Sequence, residues 1–240
     1  MPASPASAVL SPQLKRELLL TILESRHGDL REENLNRQGK GHFHVSGRGH
    51  EALAAISRQL QPDDYLAPYY RDRGLVLGRG VTTKQLALDY MAKRDSSSHG
   101  RQMPSHYSFR ELNIWSVPTP TGAQLLPACG MAWGMQFDGK PNLVVTSVGD
   151  AATRQGDFYE AVCFAQERRL PVLLIVEDNG FGISTPTARM TPRALEVLNP
   201  EQWQVVEGWN VEQVHAAGEA AIADLRAGLG PRWQLGRAHL

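Results

Sequence analysis

Two short apolar runs separated by one amphipathic segment limit most strongly how this chain can fold. Residues LVVTSV (143–148) and VLLIVE (172–177) are rich in β-branched side chains, as expected of strands buried on both faces of a sheet. Between them, apolar residues recur at the spacing of one face of a helix: Phe158, Ala161, Val162 and Ala165. The pattern predicts one strand-helix-strand unit with parallel strands, and therefore an α/β fold.

Polar residues follow both predicted strands. Asp150 comes directly after the first strand, and Asn179 comes after the second. Parallel strands joined by a crossover helix end at the same edge of the sheet, and adjacent strands lie roughly 4.8 Å apart. A carboxylate and an amide oxygen at that separation can share a magnesium ion, which usually keeps water or phosphate as its other ligands. The alternative is that both residues only form turns, as Asp and Asn often do at strand ends.

The residues around this unit resemble a known motif. The stretch GDAATRQGDFYEA…LPVLLIVEDNGFGISTPT is similar to the thiamine diphosphate motif of the alpha subunit of 2-oxoacid dehydrogenase complexes, in the decarboxylating component. The family pattern is Gly-Asp-Gly, a helix, and Asn-Asn. Five further segments follow in the family's order: GHFHVSGRGHEAL (41–53), DDYLAPYYRDRGLVLGRG (63–80), GRQMPSHYS (100–108), TPTGAQLLPACGMAWG (119–134) and VEGWNVEQVHAAGEAA (206–221). Together the matches cover most of the chain from about residue 40 onward.

The resemblance implies a fold and a set of site residues. The fold is the thiamine diphosphate-binding fold, with a largely parallel sheet and helices on both faces. The implied magnesium ligands are the side chains of Asp150 and Asn179 and the backbone carbonyl of Phe181. The implied cofactor-binding residues are Tyr70, Arg71, Thr119, Thr121, Gly149, Asp150, Ala151, Ala152 and Asn179.

Arg71 has two interpretations. In the resemblance its planar guanidinium binds diphosphate oxygens through bidentate, charge-assisted hydrogen bonds. The ordinary alternative is a surface arginine paired with Asp72 or Asp64.

Two positions depart from the family pattern. Ala151 stands where the motif has glycine, so the turn must avoid positive φ or accept strain of about 1 kcal/mol. Asp178 stands where asparagine is usual, and an additional acid near a diphosphate is mildly unfavourable. Neither departure removes a predicted metal ligand.

The resemblance also implies an activity. Thiamine diphosphate would support oxidative decarboxylation of a 2-oxo acid, with acyl transfer to a lipoyl group on an acyltransferase. The segments GRQMPSHY and ISTPT resemble the branched-chain enzymes, whereas an acid at Glu177 is more similar to the pyruvate enzymes. The catalytic glutamate is expected in a beta subunit or a fused beta half, in an assembly of two alpha and two beta parts. The alternatives are an acetoin-type thiamine dehydrogenase and a non-catalytic cofactor-binding module.

Composition and chain ends complete the expectations. With 240 residues, 42% hydrophobic and 21% charged, one domain over residues 12–240 is predicted, preceded by a mobile leader over 1–11. The domain is expected to begin with a helix from about Pro12 to His27. The 25 basic residues equal the 25 acidic ones, which gives no general attraction to nucleic acid or to a membrane surface. Cys129 and Cys163 fit packing roles and a reducing, cytoplasmic location. The family's histidine-bearing C-terminal loop is not recognised, and no role is assigned to His239.

Overall fold

A computed structural model describes residues 10–189 and 203–238 of the chain. Its helices are α1 (Pro12–Arg37), α2 (Ala54–Ser57), α3 (Arg73–Arg79), α4 (Thr83–Tyr90), α5 (Leu125–Phe137), α6 (Gly156–Arg168) and α7 (Val211–Arg226). Its strands are β1 (Tyr65–Ala67), β2 (Val144–Gly149), β3 (Val172–Asp178), β4 (Phe181–Gly182), β5 (Thr185–Pro186), β6 (Trp203–Glu207) and β7 (Arg232–Arg237). Single 3₁₀ turns occur at Glu51–Leu53, Arg110–Leu112, Asp150–Arg154 and Thr187–Arg189.

The main sheet of the described part has the strand order β1-β2-β3-β7-β6, and every neighbouring pair is parallel. Strands β2 and β3 are adjacent, with Val144 opposite Val172 and Gly149 opposite Glu177. Helix α6 connects them, and it buries all four apolar residues that predicted its inner face. The predicted strand-helix-strand unit is therefore confirmed. Strands β4 and β5 form a small antiparallel hairpin just after β3.

Helices cover both faces of the sheet, as predicted. On one face, Val145, Leu173 and Ile175 pack in a core with residues of α1, α2, α3 and α7. On the other face, Val144 and Leu174 pack in a second core with residues of α5 and α6. The alternation along β2 and β3 follows from the two-residue period of a strand. The packing role predicted for the cysteines is met only by Cys129, because Cys163 is exposed on α6.

Helix α1 begins near its predicted start and ends well after its predicted end. The Ser11 side chain accepts a hydrogen bond from the Leu14 N–H and caps the helix, and Leu10 is buried. Two residues assigned to the leader, Leu10 and Ser11, therefore belong to the described structure, while residues 1–9 lie outside the described residues. The apolar pattern predicts a helix end near His27, yet α1 continues to Arg37 because its last turns bury polar side chains, among them Asp29 and Glu32.

None of the described helices is long and apolar enough to cross a membrane.

Candidate cofactor site

The carboxyl ends of β2 and β3 border a cavity of about 300 Å³. Asp150 and Asn179 both line it, so the structure brings together the two residues that the sequence placed at one sheet edge. Every other residue predicted for the site also lines the cavity, except Thr119: Tyr70, Arg71, Thr121, Gly149, Ala151, Ala152 and Phe181. Thr119 lies two residues away from Thr121 and is exposed, and its role stays a prediction.

The Asp150 carboxylate has an oxygen atom that is not satisfied by any hydrogen bond in the described structure. Among the described residues, its Oδ2 atom is buried and has no hydrogen-bond partner. Burial raises the pKa of the Asp150 carboxyl to about 6; a hydrogen bond from Thr187 opposes the rise, and the neighbouring Asp178 adds to it. A bound cation would satisfy the orphaned oxygen and favour the charged form.

The turn after β3 positions further oxygen donors. The Asn179 Oδ1 atom accepts the Phe181 N–H at 3.0 Å, and the Asp178 Oδ1 atom accepts the Gly180 N–H at 3.0 Å. A carboxylate, an amide oxygen and a backbone carbonyl are hard donors of the kind that magnesium prefers. No group of three or more His, Cys, Asp or Glu side chains suited to a metal exists within the described ranges. A metal at this edge would thus depend on amide, carbonyl and phosphate oxygens in addition to Asp150.

The backbone after Asp150 accommodates Ala151 without strain. Residues Asp150–Arg154 form a 3₁₀ turn, and Ala151 does not have a positive φ. The Thr153 hydroxyl donates to the Asp150 carbonyl at 2.6 Å and tightens the turn. The motif departure at Ala151 therefore carries no left-handed backbone strain. Small side chains at Ala151 and Ala152 keep the cavity open next to the carboxylate.

Arg71 lines the same cavity as Asp150 and Asn179. Its Nη1 atom donates to the Ser46 carbonyl at 2.5 Å, and its guanidinium lies 5.4 Å from the centre of the Tyr70 ring. Within the described residues it makes no ion pair with Asp72 or Asp64. Asp64 instead pairs with Arg226 at 2.6 Å, and Asp72 accepts hydrogen bonds from the Tyr69 N–H and the Ser147 hydroxyl. The surface-pair interpretation of Arg71 is wrong, because both acids are occupied elsewhere.

The sequence did not predict a buried pair of polar side chains, His50 and Glu177. His50 Nδ1 lies 2.5 Å from Glu177 Oε2, and both side chains are 2% exposed. Burial lowers the pKa of His50 to about 4 and raises the pKa of Glu177 to about 7. Both pKa shifts favour the uncharged forms of the two side chains. The two residues are 127 positions apart, so no local pattern could have linked them.

The β4–β5 hairpin also lines the cavity, through Phe181, Gly182 and Ile183. Ile183 lies in its turn with φ of 58°, and its side chain is fully exposed. A β-branched residue with positive φ is a true outlier, and such strain is concentrated at functional sites. The sequence indicated only ISTPT as a family segment and did not single out this residue.

The described fold is shared with a solved structure. It superposes on transketolase from Campylobacter jejuni with a TM-score of 0.65 at 16% sequence identity, covering 92% of this chain and 38% of that one. This similarity places the chain in a class of α/β proteins with a mostly parallel sheet between helical layers.

The sequence comparisons identify the family. The family profile described as "Dehydrogenase E1 component" matches residues 21–231. This chain belongs to the dehydrogenase E1 component family, which confirms the resemblance.

Individual relatives agree with this assignment. The chain is 33% identical to the 2-oxoisovalerate dehydrogenase subunit alpha of Bacillus subtilis, over 92% of this chain and 69% of the relative. It is 32% identical to the pyruvate dehydrogenase E1 component subunit alpha of Staphylococcus aureus, over 92% of this chain and 60% of the relative. It is 37% identical to 2-oxoisovalerate dehydrogenase subunit alpha 1 of Arabidopsis thaliana, over 62% of this chain but only 32% of the relative. The chain therefore spans about one third to two thirds of the length of these proteins.

Proposed function

We propose that this chain is the alpha part of the decarboxylating component of a 2-oxoacid dehydrogenase complex, and that its cavity binds thiamine diphosphate with magnesium. The observation that carries the proposal is the convergence of Asp150 and Asn179 at one sheet edge, in a cavity that Arg71 also lines. The cofactor supplies carbanion chemistry at the keto carbon of a 2-oxo acid.

The roles of the chain's own residues follow from charge and position. Asp150, Asn179 and the Phe181 carbonyl would hold the metal, since they offer hard oxygen donors on one side of the cavity. Arg71 would bind diphosphate oxygens, since the Ser46 carbonyl takes one of its five N–H donors and leaves others for a ligand. Gly149, Ala151 and Ala152 would let the phosphates approach the backbone. Tyr70, Thr119 and Thr121 would contact the remainder of the cofactor.

The partners and substrate extend the same proposal. A beta subunit or fused beta half would supply the catalytic glutamate, and a lipoyl-bearing acyltransferase would accept the acyl group. The proposed substrate is a branched-chain 2-oxo acid in preference to pyruvate, supported by the names of two of the relatives. Glu177 is the residue that argues for pyruvate. A cytoplasmic location is proposed because both cysteines are free.

Cofactor binding tests the site directly. Thiamine diphosphate is titrated into the chain combined with a beta part, with and without magnesium, and the dissociation constant is measured by calorimetry. Asp150→Ala should weaken magnesium-dependent binding by more than about 100-fold, because even outer-shell partners of metal sites contribute about 10–100-fold. The matched control is Asp157→Ala, which removes an exposed carboxylate from the first turn of α6. Equal affinity of Asp150→Ala and the wild type in magnesium would contradict the metal assignment.

An activity assay tests the substrate. The chain is combined with a beta part and a lipoyl acceptor, and kcat/KM is compared for 2-oxoisovalerate and pyruvate. We expect the higher value for 2-oxoisovalerate. A higher value for pyruvate would overturn the branched-chain preference and leave the reaction class intact.

A further inference from the structure

Asp29, on the inner face of α1, binds a loop that no sequence motif connected with it. Its side chain is buried, with 2% of the residue exposed. Its Oδ2 atom accepts the Ser46 hydroxyl at 2.8 Å, and its Oδ1 atom accepts the Gly47 N–H at 2.9 Å. Both carboxylate oxygens are thus used to fix two consecutive residues of the same loop.

The loop residues that Asp29 fixes are the ones that touch Arg71. The Ser46 carbonyl accepts the Arg71 Nη1–H at 2.5 Å. Gly47 packs so closely that a Cβ atom there would lie 2.7 Å from the Arg71 carbonyl oxygen. The loop therefore contacts both the guanidinium and the backbone of Arg71.

Helix α1 also contacts Arg73, two residues after Arg71. Glu32, one turn after Asp29, accepts the Arg73 Nη1–H at 2.7 Å, and this ion pair is nearly buried. Gly28 lies against the same arginine: a Cβ atom at Gly28 would lie 2.2 Å from Arg73 Nη2. Helix α1 thus contacts both the loop that touches Arg71 and Arg73, two residues after it.

We propose that Asp29 is a positioning residue for cofactor binding: it fixes Ser46 and Gly47 so that the Ser46 carbonyl orients the Arg71 guanidinium toward the diphosphate. This inference rests on the proposed function. A long arginine side chain loses conformational freedom when it binds, and a carbonyl that holds it in place beforehand removes part of that cost. A supporting residue of this kind commonly changes affinity by about 10–100-fold without touching the ligand.

A double-mutant cycle tests the connection between Asp29 and Arg71. Affinity for thiamine diphosphate with magnesium is measured for Asp29→Asn, Arg71→Ala and the double variant. Asp29→Asn should weaken binding about tenfold in the wild-type background and less than about twofold in the Arg71→Ala background. Inorganic diphosphate with magnesium should show the same losses, because the effect concerns the phosphates.

Two further variants separate positioning from general destabilisation. Glu24→Gln neutralises an exposed carboxylate on the same helix, and it should change affinity less than about twofold. Ser46→Ala removes the hydroxyl that Asp29 binds but keeps the carbonyl, and it should weaken binding by a smaller factor than Asp29→Asn. It also provides a readout if Asp29→Asn folds poorly, since unchanged affinity in a folded Ser46→Ala would count against the proposal.

The outcomes distinguish this inference from the proposed function. Wild-type affinity in Arg71→Ala would overturn the positioning role and the diphosphate contact of Arg71, while the proposed function would fail only if Asp150→Ala also kept wild-type affinity in magnesium. Weak binding in Arg71→Ala with wild-type affinity in Asp29→Asn would overturn only the positioning role. An Asp29→Asn loss of the same factor in both backgrounds would show a structural effect independent of Arg71 and would also overturn it.

Discussion

Two parts of the cavity lining are built in different ways. The strand-end wall, residues 149–152 and 179–181, belongs to one continuous strand-helix-strand unit and its following turn. The arginine wall, residues 69–71, depends on contacts with Ser46 and, through it, with α1. The first wall is held mainly by apolar burial under β2 and β3, and the second by a chain of polar contacts between distant segments.

The difference has consequences for stability and affinity. A unit held by apolar burial tolerates substitutions at its surface but not in its core. Each void in a close-packed interior lowers the free energy of unfolding. A series of polar contacts is weakened when any one contact is removed, because each buried group left unpaired costs free energy. Core substitutions under the strand-end wall should therefore lower stability most. Substitutions in the polar supports of the arginine wall should lower it less, and substitutions at Arg71 itself should act mainly on cofactor affinity.

The largest effect is expected from Phe158→Ala, under the strand-end wall. Phe158 is fully buried between α6 and the sheet, and its removal should lower the free energy of unfolding by about 3–5 kcal/mol. Denaturant titration measures this. Phe137→Ala is the control, because that side chain is 75% exposed and should change stability by about 0.5 kcal/mol or less. A similar loss in both variants would indicate that the core under this wall is not closely packed.

Next in size is Glu32→Gln, which breaks the ion pair supporting the arginine wall. The Arg73 guanidinium would keep a neutral acceptor in place of a carboxylate, so we expect a loss of about 1–3 kcal/mol in unfolding free energy. Glu33→Gln, one position further along α1, should have a much smaller effect because its partners are more exposed. Equal losses at both positions would mean that burial of the Glu32 pair is unimportant.

Arg71→Lys should act on affinity with little change in stability. Lysine keeps the charge but lacks the planar fork, so thiamine diphosphate should bind about tenfold more weakly, as expected for the loss of one hydrogen bond of about 1.5 kcal/mol. Calorimetry in magnesium measures the dissociation constant, and Arg154→Lys on the exposed side of the 3₁₀ turn is the matched control. Full retention of affinity would show that charge alone is sufficient at this wall.

The smallest effect is expected from Ala151→Gly, which restores the family's glycine. Because Ala151 already avoids positive φ, glycine relieves no strain and only adds backbone freedom, at a cost of about 0.5–1 kcal/mol in stability. Thermal unfolding and cofactor titration measure the two quantities. A clear gain in stability would mean that the turn at Ala151 is strained after all.

The sequence predicted the strand-end wall more accurately than the arginine wall and its supports. Strands β2 and β3, helix α6 and the meeting of Asp150 with Asn179 were predicted correctly, because periodic burial and parallel topology are local properties of the sequence. The alternative of a surface ion pair for Arg71 was wrong, and the end of α1 was placed ten residues early. Both concern polar residues whose burial depends on partners far away in the chain.

The sequence by itself determined the family, the parallel sheet and the residues at its carboxyl edge. Only the tertiary structure decided that Ala151 lies in an unstrained 3₁₀ turn, that His50 pairs with Glu177, and that Asp29 reaches Arg71 through Ser46. The physical reason is the range of the interactions. Apolar periodicity repeats every two to four residues and is visible in any short window, whereas the direction of a buried polar side chain is set by which elements pack against each other.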